Sequence, residues 1–123
     1  FKCITPIVLS TRNDEHKTPF YLRAYQDPVQ FGEFLTRNVR EKFRIFSGKE
    51  SGVSIVVDGE YIERVGKKSN LRINIVDDIE VFGSVVPVKI SGTGEEIAFL
   101  YDTGLGEKNS LGMGMIEIAG KRF

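Results

Sequence analysis

The sequence is poor in the residues that staple a protein or give it a field. It has one cysteine, Cys3, in 123 residues, so no disulfide can form within the chain, and a reducing compartment is the fitting context. Histidine also occurs once, at His16, and neither residue has a partner at metal-ligand spacing. Asp77, Asp78 and Glu80 lack the spacing of a calcium loop, and no cofactor is implied. No uninterrupted apolar run reaches the roughly 20 residues of a membrane span. No secretory leader pattern opens the chain, which points to a cytoplasmic protein with no membrane partner. Net charge is missing as well: 17 basic side chains balance 17 acidic ones, so no overall field advertises a polyanion as partner. The balance is uneven along the chain, with 13 Lys or Arg against 9 Asp or Glu in residues 1–72 and 4 against 8 in residues 73–123.

What is present fits one globular domain, with 41% hydrophobic and 28% charged residues and enough length to bury a core unaided. Phe1 to Ser10 (FKCITPIVLS) is rich in β-branched and apolar residues and predicts a buried strand bent at Pro6. The chain opens inside this run without a methionine, so a fragment of a longer protein is expected. TRNDEHKT, ending at Pro19, has loop composition. Asp27 as N-cap and Pro28 at the first helical position start a helix, along which Phe31, Leu35, Val39, Phe43 and Phe46 form one apolar stripe, with Ser47-Gly48 as the stop. Val53–Val57 predicts a strand, and Asp58-Gly59 leads into EYIERV as either a hairpin or a strand-turn-helix. Leu71, Ile73 and Ile75 alternate with polar residues, with Val81–Ile90 as the expected partner strand and Pro87 marking an edge or a bulge in it. Thr93 with Glu96 is a capping box ahead of Ile97, Leu100 and Tyr101, Gly104 stops that helix, and Met113–Ala119 reads as a last strand. This order predicts an α+β, ferredoxin-like βαββαβ domain over residues 1–123, two helices on one face of an antiparallel sheet, with an extra element near Val53–Val65. That fold hosts many functions, so function must be argued from a site.

The most unusual segment is GLGEKNSLGMG, which sets Gly104, Gly106, Gly112 and Gly114 around Glu107, Lys108, Asn109 and Ser110. Exposed amides with a lysine as point charge can cradle a phosphate. The segment is not a nucleotide-binding loop, because the Gly-Lys-Ser/Thr ending is missing and it follows a helix and precedes a strand; the dinucleotide fingerprint fails on the same context. A C-cap glycine, a tight turn and a strand glycine would account for the same letters without any ligand. Two basic groups accompany it, Arg37, Arg40, Lys42, Arg44 and Lys49 on the long helix and its exit, and Arg64, Lys67, Lys68 and Arg72 further on, with Tyr61 able to stack an unpaired base. The same charges also make ordinary solvated faces. His16 could move a proton near neutral pH, but it stands alone in a polar loop, and an exposed loop histidine is the plainer reading.

GLGEKNSLGMG resembles the C-terminal glycine-rich loop of the CRISPR-associated endoribonucleases that process repeat RNA, in all four glycines and in Glu107, Lys108, Asn109 and Ser110. DPVQFGEFLTRNVREKF is similar to that family's helix, with Val39 for its leucine and Phe43 for its tyrosine, and TPIVLSTR resembles the first strand of its second domain. The resemblance implies two tandem ferredoxin-like domains, of which this chain would be the C-terminal, mainly RNA-binding half. It implies metal-independent cleavage of precursor CRISPR RNA by attack of a ribose 2′-OH on the adjacent phosphate, with the catalytic side chains in the preceding domain and this fragment inactive alone. CRISPR repeat RNA and other CRISPR-associated proteins are the implied partners. The RNA-binding residues expected are Gly104, Gly106, Lys108, Asn109, Ser110, Gly112, Gly114, Arg40 and Lys67. A non-cleaving RNA-binding subunit of the same superfamily, and a phosphate- or ligand-binding ferredoxin-like domain unrelated to RNA, are the alternatives.

Overall fold

A computed structural model describes residues 1–11, 20–75 and 79–118, so His16, Asp77 and Asp78 lie outside the described residues. Strand β1 (Lys2–Cys3) opens the chain, and β2 (Ser10–Thr11) pairs antiparallel with β3 (Phe20–Tyr21). Helix α1 (Pro28–Ser47) begins where the sequence places it: the Asp27 carboxylate accepts the Gln30 N–H at 3.0 Å, and Gly48 ends the helix at φ +73°. Its Phe31, Leu35, Val39 and Phe43 are buried. Phe46, expected in the same stripe, is 74% exposed; its ring stacks on Phe99 at 4.9 Å between centroids and leaves its other side to solvent.

Strand β4 (Ser54–Val57) buries Ile55 and Val57 and exposes Ser54 and Val56, the alternation of a half-covered strand. After it the chain takes the helical option. The Asp58 carboxylate accepts the Glu60 and Tyr61 N–H groups, and α2 (Gly59–Val65) follows, then a tight helical turn at Gly66–Ser69. Strands β5 (Asn70–Ile75) and β6 (Ile79–Ser84) form an antiparallel pair, and β7 (Val88–Ser91) pairs with β4. The single partner strand expected over Val81–Ile90 is therefore two strands in two pairings. Pro87 lies in the gap between them, without an N–H for either ladder, and its carbonyl accepts the Asp58 N–H at 3.0 Å. Helix α3 (Gly94–Thr103) carries the complete Thr93/Glu96 capping box, and β8 (Ile116–Glu117) pairs with β1. β8 is shorter than the expected Met113–Ala119, because Met113 and Gly114 belong to the preceding loop and Ala119 lies outside the described residues.

Phe1 and Val88 exchange two backbone hydrogen bonds, as do Ile7 and Ser84, which brings the first segment alongside the one leading into β7. The four-strand order is then β8-β1-β7-β4 with antiparallel neighbours, the ferredoxin-like order, and α1 and α3 meet edge to face at Phe43 and Phe99. The core gathers Phe31, Leu35, Ile55, Val88, Leu100, Leu105 and Ile116. Helix α1 also closes the outer edge of β4: Arg40 Nε donates to the Val53 carbonyl at 2.7 Å, and the Thr36 hydroxyl accepts the Ile55 N–H at 3.0 Å. An edge occupied in this way offers little to a foreign strand.

Candidate nucleic-acid interface

Between α3 and β8 the glycine-rich segment folds as a loop closed on itself and tied to residues 5–10. The Leu105 N–H donates to the Gly114 carbonyl at 2.8 Å and the Gly114 N–H to the Pro6 carbonyl at 2.8 Å, while the Glu107 N–H reaches the Val8 carbonyl at 2.7 Å. The Thr5 hydroxyl donates to the Gly112 carbonyl at 2.6 Å and accepts the Met115 N–H at 2.9 Å. The Glu107 carboxylate takes both the N–H and the hydroxyl of Ser10, at 2.6 and 2.7 Å. Inside the loop the Asn109 side-chain amide donates to the Leu105 and Met113 carbonyls at 3.1 and 2.9 Å.

Close backbone packing explains three of the four glycines. Gly104, Gly106 and Gly114 are buried, and a Cβ at Gly106 would lie 2.5 Å from the Val8 carbonyl oxygen. The amides of the segment are thus not freely exposed throughout; the outward part is the arc from Lys108 to Gly112. It opens at Lys108 (φ +59°), makes a helical turn over Asn109–Leu111 and closes at Gly112 (φ +87°), where nothing lies within 4 Å of a Cβ position. Ser110 is exposed and Lys108 half-buried, and among the described residues no acceptor engages the Lys108, Asn109 or Ser110 N–H groups. Successive unengaged amides around a left-handed residue form a concavity that suits an anion.

The remaining expected residues lie elsewhere. Arg40 is spent on the Val53 carbonyl at the β4 edge, and Lys67 is exposed on the helical turn that leads into β5. Asn109 is in the loop, but its side chain is turned inward to hold it.

Two features were not read from the sequence. The first is the role of Lys42, grouped there with the basic side chains of the long helix: its ammonium turns to the glycine-rich loop and donates to the Gly104 and Gly106 carbonyls at 3.1 and 2.9 Å and to Asn109 Oδ1 at 2.7 Å. Burial lowers its pKa to about 8, against the upward pull of the Glu107 carboxylate. A signal was available: Lys42 follows Leu35 by seven residues and Val39 by three, in phase with the buried face, where a lysine must find acceptors. The second is a cluster at the β5–β6 hairpin, with the Arg23 guanidinium 4.8 Å from the Phe82 ring centroid and Tyr21 6.2 Å from it on β3. Sequence separation hid it. Among the described residues no three His, Cys, Asp or Glu side chains are grouped to hold a metal ion, and no helix is long and apolar enough to cross a membrane.

Residues 1–118 match the family model described as CRISPR associated protein Cas6, C-terminal. The chain belongs to this family. Over 118 residues it is 30% identical to the CRISPR-associated endoribonuclease Cas6 1 of Methanocaldococcus jannaschii, covering 94% of this chain and 43% of that protein. A solved structure described as CRISPR associated protein Cas6 superposes with a TM-score of 0.72 at 26% identity, over 96% of this chain and 47% of the other. Another, described as an RAMP protein binding different RNA substrates, gives a TM-score of 0.73 at 21% identity over 97% and 47%. The chain therefore spans less than half the length of each of these proteins, and the ferredoxin-like reading of its fold stands. The glycine-rich loop is part of the Cas6 match, and so are α1 and β1.

Proposed function

We propose that this chain is the RNA-binding, C-terminal domain of an endoribonuclease that cuts precursor CRISPR RNA within its repeats, and that the Lys108–Gly112 arc receives an RNA phosphate. The observation that carries the reading is the arc itself: Lys108, an exposed Ser110 and three unengaged amides on a loop otherwise bonded to its own chain. Membership of the Cas6 C-terminal family supports the substrate class. The cleavage is the attack of a ribose 2′-OH on its neighbouring phosphate, with the proton-transfer groups in the part of the protein that precedes this domain. Lys108 and the arc amides balance charge on the bound backbone and set its position. Lys67 and Arg72 add a non-specific basic surface, while the Arg40 guanidinium serves the fold first.

The binding test is a salt series of repeat-RNA affinities in the full-length protein. Lys108→Ala is expected to lower the slope of log affinity against log salt by roughly one unit and to weaken all sequences about equally, as for a phosphate contact. Gly112→Val, which strains the left-handed closing position without meeting a neighbour, is expected to weaken binding with the fold retained on circular dichroism. If both folded variants bind as wild type across the series, the loop is structural. A second measurement addresses cleavage: in EDTA the full-length protein is expected to cut labelled repeat RNA once per repeat, and residues 1–123 alone not at all. A discrete cut by the isolated domain that is lost in His16→Ala would place the catalytic centre here.

A further inference from the structure

We infer that Lys42 is the positioning residue of the glycine-rich loop: from the buried face of α1 its ammonium fixes the arc that meets RNA, so RNA affinity depends on a side chain that touches no RNA. The inference rests on the reading of the loop given above. Its geometry is a three-way tie. One ammonium carries three N–H donors, and all three are used, on two carbonyls at the start of the loop and on Asn109 Oδ1 within the arc. Asn109 in turn grips the Leu105 and Met113 carbonyls, one on each limb. Without the ammonium the Gly104 and Gly106 carbonyls and Asn109 Oδ1 converge with no donor between them, and their mutual repulsion opens the arc. The facing charged group is Glu107, whose carboxylate is held by the N–H and hydroxyl of Ser10 and, being an acceptor, cannot replace the ammonium as a donor to these three oxygens.

A charge held down to about 8 adds a handle. Above that pH the neutral amine has two donors for three acceptors, and the arc loosens. The linkage for the fold has the opposite sign. Because the folded pKa is below the free value, Lys42 takes up a proton on unfolding between about 8 and 10.5, and its contribution to stability rises with pH there. A fall in RNA affinity over that range therefore does not come from the titration of Lys42 destabilising the fold.

The experiment uses the full-length protein as wild type, Lys42→Met and Lys42→Arg, with a repeat-RNA oligonucleotide at fixed salt between pH 6.5 and 9. The Asn109 side-chain NH2 resonances are followed without RNA over the same range. In wild type these resonances should titrate with a midpoint near 8, and affinity should drop about tenfold from pH 7 to 9, the loss of roughly one hydrogen-bonded charge. Lys42→Met should bind about tenfold more weakly at pH 7 and show neither pH dependence, whereas Lys42→Arg, which keeps its charge, should restore most of the affinity and hold it to pH 9. Asn109 resonances and loop amide exchange that are the same in Lys42→Met as in wild type overturn the inference. Resonances that move while affinity stays flat in every variant leave the positioning role standing and overturn the RNA reading of the loop. If Lys42→Met does not fold, wild type and Lys42→Arg decide, and Asn109 resonances that respond to pH identically in the two overturn the inference.

Discussion

Gly114→Ala is expected to lower the stability of the domain by about 4 kcal/mol, a large fraction of the roughly 5–15 kcal/mol that separates folded from unfolded protein. Gly114 sits at φ +76°, where an L side chain costs about 1–2 kcal/mol, and its new methyl group would fall on the Leu105 carbonyl oxygen. That oxygen belongs to backbone and cannot rotate away. Relief requires the two limbs of the loop to part, which breaks the bonds of Leu105 to Gly114 and of Gly114 to Pro6, at about 1 kcal/mol each. Gly112→Ala is the control: the φ is equally positive at +87° but the space is open, so about 1 kcal/mol is expected. Urea unfolding followed by circular dichroism measures both, and equal midpoints for the two variants would show that close packing at Gly114 does not govern stability.

Leu35→Ala is expected to cost about 3 kcal/mol, from the lost transfer energy of its side chain plus the cavity it leaves. Leu35 is fully buried at the middle of α1 and belongs to the same cluster as Ile55, Val88 and Leu100, so the hole opens between helix and sheet, where backbone on both sides resists collapse. Phe46→Ala removes a larger side chain from the same helix and is expected to cost less than about 1 kcal/mol, because its ring is 74% exposed and loses mainly one stacking contact with Phe99. A denaturant series that ranked Phe46 above Leu35 would contradict this placement of the helix.

Local rules settled much of the fold. Asp27-Pro28 and Gly48 bound α1 because a carboxylate acceptor, a residue without an N–H and a residue tolerant of positive φ act within a few positions of themselves. Thr93 and Glu96 satisfy each other across one helical turn in the same way. The alternation in Val53–Val57 marked β4 because its two faces meet different media. Partner choice is different in kind. Pro87 marks an interruption in Val81–Ile90, but nothing local says that the two sides of it take different partners, since that depends on β5 claiming the first part and β4 the second.

The candidate site divides along the same line. Its glycines and its lysine stand together in GLGEKNSLGMG, and the sequence by itself determined that this segment is unusual, that it joins a helix to a strand, and that the chain resembles one family. Only the tertiary structure decided which parts of the segment face inward. Gly104, Gly106 and Gly114 are glycines for the sake of Asn109, Val8 and Leu105, and Asn109 is polar for the sake of Lys42, 67 residues away in sequence. The reason is physical: a close backbone approach and a hydrogen bond to a half-buried ammonium are relations between distant segments, and a sequence read residue by residue carries the need for a partner but not its address.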